Sequence, residues 1–281
     1  MKYNDIRRKT HAVKVGGLTI GGDAPISIQS MTNTPAHDIA ATVAQIKALE
    51  AAGCDIVRLT VPDKNALPSI YEAKAAGVKV PLVADIHFDY KMAIESVAAG
   101  ADKIRINPGN IGADENVRKV CSACAQKNIP IRIGINSGSL EKHILAKHGA
   151  PTPEALCESA LYHLSLLQKF DFDDVVISVK ASDPYGMICA NQLLAKSCSC
   201  PIHLGVTEAG GREMGLIKSS VGIGGLLTQG IGDTLRISLT DDPVREVEAA
   251  RKLLTALNIE GQKGLSVVSC PTCGCIVALL K

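Results

Sequence analysis

Arg105-Ile-Asn107 ends a short apolar run, and the same phrase returns along the chain as Arg58-Leu-Thr60, Asp85-Ile-His87, Ser178-Val-Lys180 and Arg236-Ile-Ser238, with Arg132-Ile-Gly134-Ile-Asn136 as a longer version. Side chains two apart on a strand point to one face. The polar residues of each phrase therefore share a face, and the Ile, Leu or Val between them takes the other. Parallel strands that carry charged residues at their C-terminal ends describe a barrel whose mouth holds a multiply charged anion.

Working outward from these phrases, strands are expected over 25–31, 56–60, 81–86, 103–107, 131–135, 175–180, 201–207 and 234–238. Helical spacing fills the intervals: from Asp38 to Gly53, Asn65 to Ala76, Tyr90 to Ala99 and Asp114 to Lys127. It continues over Leu140 to His148, Pro153 to Phe170, Tyr185 to Lys196, Glu213 to Gln229 and Pro243 to Leu257. Gly53, Gly77 and Gly100 supply helix stops. Val13 to Ile20, followed by Gly21-Gly22-Asp23, is expected to form a small hairpin or lid across the bottom of the barrel. The fold class is α/β, a (β/α)8 TIM barrel, for which about 250 residues suffice. An open doubly wound sheet is the competitor, but eight units fill the length and polar strand ends recur around all of them. Val221-Gly-Ile-Gly-Gly225 superficially resembles a dinucleotide fingerprint. It lies within a helix and follows no strand, so close helix packing explains it.

Of the 281 residues, 46% are apolar and only 3% aromatic, the Ala, Val, Ile and Leu mixture of buried parallel strands and their covering helices. A net charge of +2 with no long basic run argues against nucleic acid. No apolar stretch follows the polar N-terminus as a signal peptide would, and none reaches the roughly 18 residues of a membrane span. A cytoplasmic enzyme is expected, with most of its ten cysteines reduced and simply buried. Cys198 and Cys200 flank the start of a strand and are a weak candidate for a metal pair.

The strand ends nominate an inward set: Arg58, Asp85, His87, Arg105, Asn107, Arg132, Asn136, Lys180, Thr207, Glu208, Arg236 and Ser238. Five cations face two carboxylates, Asp85 and Glu208, which leaves a surplus of three. Unpaired charge in a cleft is costly, so an anionic ligand is needed to offset it. Arginine matches phosphate oxygens in bidentate fashion, and a diphosphate suits the count best. Asp85, His87 and Glu208 are the candidate catalytic groups; the other residues are candidates for substrate binding. The glycine loops Glu208-Ala-Gly-Gly211 and Asn107-Pro-Gly-Asn-Ile-Gly112 could bring backbone N–H groups to phosphate. Near the C-terminus, Ser269-Cys-Pro-Thr-Cys-Gly-Cys275 offers Cys270 and Cys273 as half of a zinc or iron–sulfur site.

Several stretches together resemble the 4-hydroxy-3-methylbut-2-enyl diphosphate synthase family. They are Gln29-Ser-Met-Thr-Asn-Thr34, Val83-Ala-Asp-Ile-His-Phe-Asp89, Arg105-Ile-Asn-Pro-Gly-Asn-Ile-Gly112, Ser137-Gly-Ser-Leu-Glu141, Ser178-Val-Lys-Ala-Ser182, Gly205-Val-Thr-Glu-Ala-Gly-Gly211, Gly230-Ile-Gly-Asp-Thr-Leu-Arg-Ile-Ser238 and Ser269-Cys-Pro-Thr-Cys-Gly274. The resemblance implies reductive ring opening and dehydration of 2-C-methyl-D-erythritol 2,4-cyclodiphosphate in the methylerythritol phosphate pathway to isoprenoids. It further implies a [4Fe-4S] cluster held by three cysteines and a glutamate, flavodoxin or ferredoxin as electron donor, and a homodimer in which one subunit's cluster domain closes over the other's barrel.

Cys270 and Cys273 match the first two cluster cysteines; the third cysteine and the glutamate have no match, and residue 275 is Cys where the family usually has Arg. The expected organisation is a substrate-binding barrel over 1–260 and a truncated start of the cluster domain over 261–281, from a shortened gene, a frameshift or a fragment. Such a chain is expected to bind substrate and show little reductase activity alone. Two other readings remain: a diphosphate-binding transferase barrel of the dihydropteroate synthase type, and a non-catalytic remnant that binds its ligand without reducing it.

Overall fold

The computed structural model describes residues 3–259. After the short helix α1 (Tyr3–Ile6), β1 (Val13–Val15) and β2 (Leu18–Ile20) form an antiparallel hairpin. The alternation then runs β3 (Ser27–Met31), α2 (Ile39–Ala51), β4 (Ile56–Thr60), α3 (Pro68–Ala75), β5 (Leu82–Asp85), α4 (Tyr90–Ala98), β6 (Lys103–Ile106), α5 (Asp114–Lys127) and β7 (Ile131–Asn136). An extra helix, α6 (Lys142–His148), precedes α7 (Pro153–Gln168), β8 (Val175–Lys180), α8 (Pro184–Ser197), β9 (His203–Leu204), α9 (Arg212–Leu227), β10 (Thr234–Leu235) and α10 (Pro243–Ala256).

The eight strands β3 to β10 pair in parallel in the order β8-β7-β6-β5-β4-β3-β10-β9. A parallel bridge from Ile177 to Ile202 joins the two edges and closes the barrel. The open doubly wound alternative is thereby excluded. Closure removes every free edge, so each strand is covered on its outer face by helices, and its outward Ile, Val and Leu are fully buried. Local chemistry sets the helix boundaries. Asp38, Asp89, Asp183 and Asp242 cap helix starts by accepting from backbone N–H groups, as does Thr152 ahead of α7. The helix expected from Asn65 begins instead as a single 3-10 turn, Lys64–Ala66, because Pro68 opens the α-helix proper. The strands expected over 201–207 and 234–238 shorten to two paired residues each.

The hairpin lies where it was expected. Val13, Val15 and Ile20 pack on Ile56, Val83 and Val176, the lowest inward residues of three strands, and plug the N-terminal end of the barrel with an apolar layer. Arg7 ties the arm down through Asp233 at 3.0 Å, and Arg8 donates to the carbonyls of Cys198 and Cys200. Gly222, in the middle of α9, has no room for a Cβ: one would lie 2.8 Å from both Met187 and Val206. Close packing accounts for that glycine. Among the described residues no helix is long and apolar enough to cross a membrane.

Candidate functional site

With one end plugged, the strand ends at the other converge on a cavity of about 200 Å³. The barrel brings into it Arg58 of β4, Asp85 and His87 at the end of β5, Arg105 of β6, Arg132 and Asn136 of β7, Lys180 of β8, Thr207 beyond β9, and Arg236 and Ser238 just past β10. Met31, Ser178 and Val206 complete the lining. Ser178 stands two residues before Lys180, so the alternation that nominated the lysine also marks the serine.

Two glycines make this crowding possible. A Cβ on Gly134 would fall 2.7 Å from Arg105 Nη2, and one on Gly205 would fall 2.9 Å from Lys180 Nζ. The long cations of neighbouring strands cross the space those side chains would fill.

Asp85 is the hub of one side. Arg105 Nη1 lies 3.1 Å from its Oδ1 and Arg58 Nε 3.5 Å from its Oδ2, with His87 Nε2 at 3.9 Å. Burial favours the neutral acid, but Arg58, Arg105, His87 and Arg132 outweigh it and hold Asp85 down to about 2. Burial pushes Arg58 down to about 10; Asp85 resists the fall, and Arg236 and Arg105 add to it. Arg58 also donates to Met31 Sδ at 2.8 Å, and Arg105 to the Gly134 carbonyl at 3.2 Å. These contacts fix both guanidinium planes.

Arg132 and Lys180, on the opposite side, have no carboxylate within ion-pair distance among the described residues. Arg132 is 1% exposed, and among the described residues its one side-chain hydrogen bond runs 3.3 Å to Gln29 Oε1. Burial first, and then the other cations of the cavity, push both groups well below their usual range.

Two of the nominated residues are not brought to the cavity. Asn107 is buried, but it donates 3.2 Å to Ser139 Oγ and accepts from the Gly109 N–H, which caps the turn after β6 and ties it to the loop after β7. The chain has already turned away from the strand direction there. Glu208 has a φ of 50° and is exposed on the loop before α9, so the left-handed turn carries its carboxylate outside. The second carboxylate is Glu246 of α10. It is 2% exposed and receives Arg236 in bidentate fashion at 2.9 and 3.0 Å, with Ser30 Oγ at 2.8 Å. The balance of five cations to two carboxylates stands, with Glu246 in the place of Glu208.

A second carboxylate network shapes the rim. Glu141 accepts from Ser159 at 2.7 Å and pairs with the buried His163, and a Cβ on Gly109 would lie 3.0 Å from its Oε1. The loops after β6 and β7 are thus clamped onto α7. Burial opposes ionisation of Glu141, but His163 and Ser159 hold it down to about 2.

Among the described residues no three His, Cys, Asp or Glu side chains are grouped to hold a metal. Burial pushes the thiols of Cys54 and Cys121 up to about 12, which suits core residues and not metal ligands. Cys198 and Cys200 are free thiols in contact with each other, the Cys200 thiol holding Cys198 below the usual thiol range, just before β9 and away from the cavity lining. The barrel therefore does not fit an iron–sulfur cluster by itself. Cys270 and Cys273 lie outside the described residues.

A family model described as the GcpE TIM-barrel domain matches residues 10–251. The 4-hydroxy-3-methylbut-2-en-1-yl diphosphate synthase (flavodoxin) of Fusobacterium nucleatum is 53% identical over 269 residues, 96% of this chain and 75% of that protein. The Caldanaerobacter subterraneus protein of the same name is 55% identical over 269 residues with the same shares, and that of Pseudomonas aeruginosa is 52% identical over 268 residues, 95% of this chain and 72% of its own. Among solved structures, the dihydropteroate synthase of Thermus thermophilus matches with a TM-score of 0.62 at 13% identity, over 88% of this chain and 98% of that one. At that identity the likeness is one of fold.

Proposed function

Because the chain belongs to the family of the GcpE TIM-barrel domain, that of the 4-hydroxy-3-methylbut-2-en-1-yl diphosphate synthases, we propose that its barrel binds 2-C-methyl-D-erythritol 2,4-cyclodiphosphate for reductive ring opening and dehydration. The observation that carries this reading is the cavity of about 200 Å³ with Arg58, Arg105, Arg132, Lys180 and Arg236 on its wall. A cyclic diphosphate brings two negative charges and several oxygens to a site with that surplus, and arginine forks suit phosphoryl oxygens.

The roles follow from position. Arg132 and Lys180, without a carboxylate partner among the described residues, take the phosphoryl charge most directly. Arg58 and Arg105 present guanidinium edges already oriented by Asp85, and Arg236 does so from Glu246. Asn136, Thr207 and Ser238 add neutral hydrogen bonds that fix register. His87 is exposed at the rim beside Asp85 and is placed to hold a proton for the departing oxygen. Glu208, outside the cavity, has no part in this reading, and Asn107 acts only by holding the loop.

A [4Fe-4S] cluster, fed by flavodoxin or ferredoxin, would supply the two electrons. The resemblance matches Cys270 and Cys273 alone, so little reductase turnover is expected from the 281-residue chain by itself. Robust turnover with reduced flavodoxin would refute that part and leave the binding reading intact. Calorimetric titration of the full chain with the cyclic diphosphate tests the binding itself. Arg105→Ala is expected to weaken it more than tenfold, about 1.4 kcal/mol or more, and raised salt to weaken it too. Unchanged affinity in both arms would sink the arginine reading.

A further inference from the structure

Beneath the cavity lies a group of side chains with no role so far. Lys103 stands two residues before Arg105 on β6, and His203 two before Gly205 on β9, so both face the barrel interior one step below the site. Both are 0% exposed. Among the described residues, Lys103 Nζ, both ring nitrogens of His203, Gln29 Nε2, Arg132 Nε and Thr234 Oγ1 are buried without a hydrogen-bond partner. Thr234 sits beside His203 in the strand register. Buried polar atoms are nearly always satisfied, and so many together mark a place for ordered water. The apolar plug of Val83, Val176 and the hairpin closes this layer from below.

The charges that act on the layer are all positive. Burial first, then Arg132 of β7 and Arg58 of β4, push Lys103 well below its usual range. Burial, then Arg132, Lys180 of β8, Lys103 and Arg58, do the same to His203. The two carboxylates nearby are engaged elsewhere, Asp85 by Arg58 and Arg105 and Glu246 by Arg236. Both floor groups are therefore biased toward their neutral forms in the free protein. A dianion in the cavity would cancel much of the field of the arginines while leaving burial unchanged. What remains is a lysine and a histidine whose proton affinity rises when the site fills.

We propose that Lys103 and His203 form a proton-uptake site coupled to the cavity: when a diphosphate occupies it, a proton from solvent enters the floor and is held on Lys103 Nζ or on the His203 ring. The step makes one N–H bond, breaks the O–H or N–H bond of the hydronium or buffer acid that supplies the proton, and involves no oxidation or reduction. It deepens the diphosphate reading and rests on it, adding a mobile positive charge to the fixed ones.

The test is calorimetry on the full chain with 2-C-methyl-D-erythritol 2,4-cyclodiphosphate, whose two phosphoryl groups carry only strongly acidic protons, so that any proton taken up near neutral pH goes to the protein. Titrations in PIPES, HEPES and Tris, which differ in ionisation enthalpy, give the number of protons from the slope of the observed heat. An uptake on the order of half a proton per ligand is expected at pH 8, reduced at least threefold in Lys103→Met and in His203→Asn while binding persists. Binding with zero slope would overturn the proton site and leave the diphosphate reading standing; no binding at all would remove both. Uptake that survives both substitutions belongs to Lys180 or His87 in the cavity wall and overturns the assignment. If either variant fails to fold, the ring nitrogen shifts of His203 in the unaltered protein decide: unmoved shifts on saturation, with Lys103→Gln retaining the uptake, refute the proposal.

Discussion

The two sides of the cavity hold similar cations in opposite circumstances. On the β4–β5–β6 side, Arg58 and Arg105 share Asp85, and next to them Arg236 is locked on Glu246. On the β7–β8 side, Arg132 and Lys180 have no carboxylate among the described residues and are 1% and 7% exposed. The first side is largely compensated, one cation in excess of its two carboxylates, and its guanidinium groups are oriented before a ligand arrives. The second remains electrostatically incomplete. An anion therefore gains orientation from one wall and charge compensation from the other, and the two contributions respond differently to mutation.

The largest effect is expected on the incomplete wall. Arg132→Met should weaken cyclic diphosphate binding by about a hundredfold, about 3 kcal/mol, while leaving thermal stability equal or higher, since it removes a buried charge that lacks a partner. A variant that loses stability as well would show that Arg132 is compensated after all and erase the contrast. Next comes Asp85. Asp85→Asn should destabilise the barrel by about 2 kcal/mol at neutral pH and weaken binding less than Arg132→Met does. Its carboxyl is held down to about 2. That stabilisation is present above the ordinary carboxylate pKa of about 4 and is lost as pH falls through the folded value. Acid unfolding of the unaltered protein should therefore show a larger loss between about pH 4 and pH 2 than the variant, which keeps the share due to Glu141; identical acid profiles would contradict it.

Gly134→Ala probes the geometry of the paired wall alone. The added methyl must displace the Arg105 guanidinium, and about a tenfold loss of affinity with a modest change in melting temperature is expected. Unchanged affinity would mean that Arg105 need not stay where Asp85 holds it. The smallest effect is set for Glu208→Gln. An exposed carboxylate outside the cavity should matter by less than about 0.5 kcal/mol in binding, and a larger loss would return Glu208 to the site.

The contrast also shows what the sequence could carry. Strand alternation has a period of two, so the phrases around Arg58, Asp85, Arg105, Arg132, Lys180 and Arg236 were enough to place their side chains in one cavity. The same rule marks Lys103, two residues before Arg105, and His203, four before Thr207, although neither stands at a strand's C-terminal end. Asn107 and Glu208 fall outside the cavity lining for a different reason. The alternation stops where the strand does, and a capped turn at one and a left-handed residue at the other redirect the chain. Glu246 lay beyond any local pattern, since it comes from a helix and meets Arg236 and Ser30 only once the barrel has closed. Local periodicity reports what a strand points inward; the partners that neutralise it are a property of closure.

The hairpin plug has a consequence for traffic. A barrel stoppered at its N-terminal end by Val13, Val15 and Ile20 makes the cavity a blind alley with one doorway. Whatever arrives, and whatever water or product departs, must use that doorway in turn. Any body that covers the doorway during turnover then controls departure as strictly as arrival, and a spent ligand becomes a competitor of the next one.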